Sequence, residues 1–226
     1  MNLNLRICWL YPELMSTYGD RGNIICLQKR CQWRGIQTNI ISEIKDADLI
    51  FGGGAQDRQQ EIVMRDLTKK KEILLKMFKI GIPGLFVCGA PQLLGRPFLG
   101  IFDMETKYPG GHRLIGNLVA KLPDGKTIVG FENHGGRTFL GHDTKPFATV
   151  IRGFGNNGED KTEGAAFKNC IATYSHGPFL PKNPHVADWL IKTALEVKYH
   201  KKVELKPLDD SLEWQAHNFV LKKYGH

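Results

Sequence analysis

Cys88, in the stretch "GLFVCGAPQLLG" over residues 84–95, ends an apolar run and is followed at once by Gly, Ala and Pro. A thiol in that position can attack a carbonyl carbon, provided that three conditions are met. The sulfur must be presented on a sharp corner, a base must take its proton, and N–H donors must hold the oxyanion that forms. Strand, tight turn and helix in immediate succession make the corner, because small residues let the chain reverse direction. The positive end of the following helix is expected to lower the thiol pKa. The base is a histidine on a comparable corner: His176, in "IATYSHGPFLPKNP", follows an apolar run and precedes Gly177. The donors come from "LIFGGGAQDR", where Gly52, Gly53 and Gly54 let backbone N–H groups approach a ligand, together with Gly89. Plainer readings stand beside these. Cys88 can be a small buried hydrophobe, and the glycine cluster an ordinary turn.

Such groups meet only if the scaffold ends its strands at one edge. "LNLRICWLY" (3–11) alternates as a strand does, and "STYGDRGN" is a turn. A helix is predicted over 23–34, with Ile24, Leu27 and Cys31 on one face and Gly35 as its stop. "IQTNIISEI" (36–44) is a second strand, and "DADLIFGGG" carries a short third. One long amphipathic helix is predicted over 57–80, with Ile62, Val63, Leu67, Leu74, Met77 and Phe78 inward and Gly81 closing it. "IPGLFVCG" is apolar throughout, as in a strand covered on both faces. The order βαββαβ, then a helix from Gly89, is that of an α/β fold with a mainly parallel central sheet. In such sheets ligands bind beyond the carboxyl ends of the strands. Further strands are predicted at 113–121, 126–132, 147–153 and 165–174. A helix follows with Asn183 as N-cap and Pro184 first, then a last helix with Asp210 and Glu213 in capping-box spacing. Residues 1–205 are expected to form one domain and 206–226 an appended helix.

The net charge of +8 is spread along the chain, with local clusters only at 69–72 and 199–202. No alternation of basic and aromatic residues marks a nucleic-acid surface; the excess reads as solvated basic faces, with attraction to an anionic substrate, partner or membrane surface as the alternative. No run is apolar enough to span a bilayer. Five scattered cysteines without a CxxC pair argue against a disulfide framework and for a reducing cytoplasm. His112, His134, His142 and Asp143 have spacings that match no zinc pattern, so no metal is expected. "GKT" at 125–127 lacks the glycine a P-loop needs, since position 120 is Ala120, and no ATP site is expected in this chain.

Taken together, "STYGDRGN", "GGGAQDRQ", "VCGAPQLLG", "GFENHGGRT" and "HGPFLPKNP" resemble the class I glutamine amidotransferases of the cobyric-acid-synthase-like branch, over about residues 3–200. The resemblance implies that fold: a mainly parallel central sheet flanked by helices, with extra strands in the second half. It implies that Cys88 attacks the side-chain amide of L-glutamine, releases ammonia and forms a thioester that water hydrolyses, with His176 as base and then acid. It places Gly53 and Gly89 at the oxyanion positions, Gln92 near the substrate, and Arg113 where a guanidinium can pair with the substrate's α-carboxylate. Two departures from the family pattern matter. The acid that orients the histidine in most class I enzymes is replaced by Pro178. Asp20 is the candidate substitute, with Glu132 as runner-up, and an N-cap role for Asp20 is an equal alternative. Ala90-Pro91 stands where relatives often have Gly-Tyr. Proline is compatible with a helix's first turn, so the corner is expected to survive while a tyrosine is lost from the pocket wall. "GFENHGGRT" is expected to shape a loop carrying the glutamine site or a partner interface, with Glu132, His134 and Arg137 pairing among themselves.

Making an amide from a carboxylate needs activation, which this chain is not expected to provide. The resemblance therefore implies a heterodimer with a Mur-ligase-like synthetase that holds ATP and Mg. That subunit would amidate the D-glutamate of the peptidoglycan precursor lipid II to isoglutamine, at the inner face of the membrane. Another acceptor such as a corrinoid, a thiol hydrolase or peptidase, and a non-catalytic binding module of the same fold are the competing readings.

Overall fold

The computed structural model describes residues 3–225. Its first strand, β1 (Asn4–Leu10), sends alternate side chains to opposite sides, so that Ile7 and Cys8 are both fully buried but in different clusters. Such burial on both faces requires helices on both sides of the sheet. Helix α1 (Arg21–Gln32) covers one side with Ile24, Leu27 and Cys31. β2 (Gln37–Ile41) and β3 (Leu49–Gly52) flank β1 in parallel register.

The predicted single helix over 57–80 is broken. It forms α2 (Asp57–Leu67), a turn of 3-10 helix at Thr68–Lys70, and α3 (Lys71–Lys79). The Thr68 hydroxyl donates to the Met64 carbonyl at 2.7 Å, a back-bond of the kind that bends helices. Leu74, Met77 and Phe78 still face the second core.

β4 (Gly84–Val87) follows, then α4 (Gly89–Leu94), β5 (Met104–Lys107), β6 (Leu114–Lys121), β7 (Thr127–His134), β8 (Arg137–Leu140), β9 (Ala148–Arg152), β10 (Thr162–Glu163), β11 (Ala165–Phe167) and β12 (Cys170–Thr173). The central sheet runs β11-β12-β4-β3-β1-β2, parallel except for β11. The strand expected over 165–174 is thus a hairpin, turned at Lys168, whose φ is 53°. A second, antiparallel sheet runs β10-β9-β6-β7, and β5 pairs with β8. Those two short strands escape sequence patterning because neither is buried throughout: β5 buries only alternate positions and β8 a single residue, so neither makes an apolar run.

The chain closes with α5 (Pro184–Tyr199) and α6 (Ser211–Tyr224). Neither predicted cap makes a side-chain cap bond. Asn183 instead clasps Val129, accepting from its N–H at 2.9 Å and donating to its carbonyl at 2.8 Å. Asp210 accepts from both terminal nitrogens of Arg30, at 2.6 and 2.9 Å. Arg30 is buried on α1 and also donates to Asp188 at 2.7 Å, so one guanidinium joins α1, α5 and α6. Among the described residues no helix is long and apolar enough to cross a membrane.

Candidate active site

β4 delivers Cys88 to the carboxyl edge of the sheet, beside the end of β12, where the Cys88 N–H donates to the Thr173 carbonyl at 2.8 Å. Its backbone (φ 54°, ψ −100°) lies outside the regions open to most residues, which is the strained corner anticipated for a nucleophile. Pro91 sits in the first turn of α4, where a missing N–H leaves no carbonyl unserved. The expectation of a lowered thiol pKa is overturned. Burial pushes the thiol up to about 12 and the nearby Asp20 charge adds to it, while Arg113 and the Gly89 N–H act against them. A helix of six residues does not offset that desolvation.

The glycine loop lies against this corner. A side chain on Gly53 would collide with the Met15 carbonyl oxygen, and one on Gly89 would sit 2.8 Å from the Ala55 nitrogen. Gly89 must therefore lack a Cβ for the corner to touch the loop at Ala55, while Gly53 must lack one for the loop to pass the Met15 segment. Gly54 donates its N–H to Asp20 Oδ2 at 2.6 Å, so this donor is committed and Gly53 and Gly89 are left as the oxyanion candidates. Asp20 occupies the position before α1 but makes no cap bond; its carboxyl crosses to the glycine loop instead. The group is 1% exposed, and burial raises its pKa to about 7, opposed by the Gly54 N–H.

His176 is held by rings and backbone. Tyr18 stacks on it at 4.6 Å with planes 14° apart, and Phe131 meets it edge-on at 5.9 Å. Its N–H donates to the Phe131 carbonyl at 2.9 Å, and the Phe131 N–H donates back at 3.2 Å. Neither ring nitrogen has a hydrogen-bond partner among the described residues, so Asp20 does not orient it here. Burial lowers its pKa to about 4, helped by His134, Lys182 and Arg113, so the imidazole is neutral near pH 7. Pro178 packs on Gly22 of α1 and fills the place of the family's acid. Glu132 is likewise not on His176. It accepts from the N–H groups of Phe154 at 2.6 Å and Gly155 at 2.8 Å, with His134 Nε2 at 3.8 Å. Arg137 does not join that pair and donates to the carbonyls of Gly135 at 2.9 Å and His112 at 2.7 Å.

Cys88 opens onto a cleft of about 430 Å³ whose walls include Tyr18, Gln92, Arg113 and Asn133. That volume suits a small polar molecule. Arg113 is fixed by Asn133, with Nε donating to Oδ1 at 2.7 Å and Nη2 to the carbonyl at 2.8 Å. Gln92 is pinned among its neighbours. Its amide donates to Tyr174 Oη at 3.2 Å and accepts from Gln60 and Tyr108, each at 3.1 Å. Of the histidines weighed as metal ligands, His134 is buried and stacked on Tyr174, while His142 is exposed beside Asp143. Among the described residues no group of three His, Cys, Asp or Glu is placed to hold a metal.

Several residues of this region escaped sequence reasoning. Tyr18 and Asn133 lie inside quoted motifs, but nothing in their type sets them apart. Glu163 had no signal at all. It is buried behind the Cys88 edge, accepts from the Thr173 hydroxyl and the Tyr174 N–H, and has its pKa raised to about 7 by burial.

A strained cysteine corner facing a glycine loop at the carboxyl edge of a parallel sheet is an arrangement able to present a thiol nucleophile in an α/β fold. The chain belongs to the CobB/CobQ-like glutamine amidotransferase domain family, whose pattern it matches over residues 6–184. It is 37% identical to the GatD subunit of lipid II isoglutaminyl synthase (glutamine-hydrolyzing) of Staphylococcus aureus, over 97% of this chain and 96% of that one. Identity to the same subunit of Streptococcus pneumoniae is 38%, over 92% and 87% of the two chains. The fold is similar to that of the PurLQS structure from Thermotoga maritima, with a TM-score of 0.60 at 16% identity over 89% of this chain. Membership of the family makes the chain a glutamine-hydrolysing amidotransferase.

Proposed function

We propose that this chain is the glutaminase subunit of a two-subunit lipid II isoglutaminyl synthase. Cys88 Sγ attacks the side-chain carbonyl carbon of L-glutamine, and its proton passes to the neutral imidazole of His176. Backbone N–H groups of Gly53 and Gly89 receive the oxyanion. Collapse of the adduct breaks the C–N bond, His176 returns the proton to the nitrogen, and ammonia leaves. Water, deprotonated by His176, then cleaves the thioester to glutamate and free thiol. Arg113 takes the substrate α-carboxylate and Gln92 frames the cleft. Asp20 acts through Gly54, holding the oxyanion loop in place. Burial raises the Cys88 pKa and lowers that of His176, so the resting pair is neutral and the thiol proton passes to the imidazole during the reaction.

Ammonia protonated in bulk water is no longer a nucleophile. A glutaminase of this kind therefore works beside a synthetase that receives ammonia directly. The partner is a Mur-ligase-like subunit that uses ATP and Mg to convert the D-glutamate carboxylate of lipid II to an acyl phosphate. Ammonia displaces the phosphate and gives isoglutamine. This chain needs no cofactor for its own half-reaction, and its lipid-linked acceptor places the pair at the cytoplasmic face of the membrane. The observation that supports the reading most is the strained Cys88 corner against Gly54 and Ala55, in a chain similar over most of its length to two such subunits. The test uses the complex with Cys88→Ser. Glutamine-dependent amidation of lipid II should stop, and ammonium chloride should restore it. Failure of ammonium to rescue, while ATP hydrolysis persists, would refute the supply role.

A further inference from the structure

Tyr18 lines the cleft that Cys88 opens onto. Its backbone (φ 58°, ψ 28°) is in the left-handed region, where a non-glycine residue is uncommon, and Gly19 continues there with φ 80°. The turn is tied down where the Thr17 N–H donates to the Gly54 carbonyl at 3.1 Å. What this placement achieves is a double contact. The ring covers one face of His176 at 4.6 Å, and the hydroxyl accepts from Asn133 Nδ2 at 3.0 Å. Asn133 in turn accepts from Arg113 Nε at 2.7 Å. Asn133 and Phe131 are two residues apart on β7 and share one face of that strand, while Glu132 and His134 are buried on the other. Phe131 grips the backbone and the ring edge of His176, and Asn133 grips Arg113 and Tyr18. An unbroken line of contacts thus runs Arg113–Asn133–Tyr18–His176.

We propose that Tyr18 is a positioning residue that couples occupancy of Arg113 by the substrate carboxylate to the orientation of the His176 ring. The inference rests on the reading of Cys88, His176 and Arg113 given above. Most class I relatives turn the histidine with a carboxylate; in this chain Pro178 stands there and both ring nitrogens lack hydrogen bonds. Ring packing is then what sets the angle of the imidazole. Tyr18 is the flanking ring that can respond to the cleft, because it is 47% exposed and shares Asn133 with Arg113. A carboxylate that draws Arg113 toward itself shifts Asn133, and with it the tyrosine and the ring beneath it.

Two variants of the full chain separate the ring from the hydroxyl. Tyr18→Phe keeps the stack and removes the acceptor for Asn133. KM for glutamine should rise about fivefold, the worth of one ordinary hydrogen bond, with kcat changed much less. Tyr18→Leu removes the stack, and kcat should fall at least about tenfold. The spectroscopic readout uses Cys88→Ala, which cannot turn over. Its His176 ring resonance, assigned by its loss in the further His176→Gln variant, should shift as glutamine is added. That shift should vanish when Tyr18→Phe is added, although glutamine still binds by calorimetry. A glutamine-induced shift that survives Tyr18→Phe, or wild-type KM and kcat in both Tyr18 variants, would overturn the coupling while leaving the active-site reading intact. Failure of Cys88→Ala to bind glutamine at all would overturn both.

Discussion

Asp20→Asn separates the charge beside Cys88 from the hydrogen bond that holds the glycine loop. The amide oxygen of Asn can still accept from Gly54, so the loop is retained while the charge is removed. A Cβ built on Gly54 would lie 3.1 Å from Asp20 Oδ2 and 3.4 Å from Cys88 Cβ, so the carboxylate and that carbon are at most about 6.5 Å apart. The thiolate charge sits on Sγ, one C–S bond further out, so at an effective dielectric of about 20 the two unit charges interact by roughly 2 kcal/mol, about one and a half pH units. With its pKa near 7, Asp20 is fully charged only above about pH 8, so the effect is complete there. Removing it should lower the Cys88 pKa by one to two units. A thiol of lower pKa is also a weaker nucleophile, so alkylation at pH 8.5 should speed by about tenfold rather than more. Iodoacetamide modification of Cys88, followed by peptide mass mapping over pH 7–9, measures this. Stability supplies a second readout. A carboxyl whose pKa is raised on folding stabilises the fold below its unfolded value of 3.8, and this contribution is lost as pH rises through about 7. Asp20→Asn should therefore gain melting temperature relative to wild type as pH rises from 5 to 9. Unchanged or slower alkylation, with no relative gain in stability at high pH, would refute the placement of this charge beside the thiol.

Arg113→Ala removes the guanidinium that Asn133 orients toward the cleft, and kcat/KM for glutamine should fall about thirtyfold, mostly through KM, in a coupled glutamate assay. Arg113→Lys should recover little of it, because a point charge does not reproduce the fork. Arg30→Met leaves Asp210 without its guanidinium partner, while Asp188 keeps Arg34 at 2.7 and 2.9 Å, and should lower stability to urea by about 2 kcal/mol. His176 has a folded pKa near 4 against 6.5 unfolded, so between those values the unfolded chain binds more protons. Its contribution to stability is complete above about pH 6.5 and is lost as pH falls toward 4; His176→Gln should flatten that acid limb in a thermal melt series.

Much of the scaffold is legible in the chain because burial on both faces leaves unbroken apolar runs. β3, β4 and β12 are buried at every position, and they are the strands whose ends carry the glycine loop, Cys88 and the approach to His176. Legibility failed where a single local interaction decides the outcome. Nothing in "RDLTKKKEIL" announces that the Thr68 hydroxyl bends the helix, and nothing in "AFKNCIA" announces a left-handed Lys168. The sequence makes Asn183 and Asp210 caps, and Asp20 either a cap or the acid on His176, yet the three side chains bond residues 54, 180 and 34 positions away. Such distances are invisible to spacing rules, which see only the next turn of helix. The electrostatics of Cys88 were misjudged for a related reason. The helix end that favours a thiolate can be seen in the sequence, while the burial that outweighs it is a property of the assembled site.

The central claim is that Cys88 alone among five cysteines is the nucleophile toward glutamine. The most direct measurement treats the intact chain with an electrophilic glutamine analogue, with and without excess glutamine, and maps the modified peptides by mass spectrometry. One equivalent should attach to Cys88, glutamine should protect it, and His176→Ala should slow the labelling. Modification of Cys8, Cys26, Cys31 or Cys170 in its place, or labelling of Cys88 that glutamine does not suppress, would contradict the account.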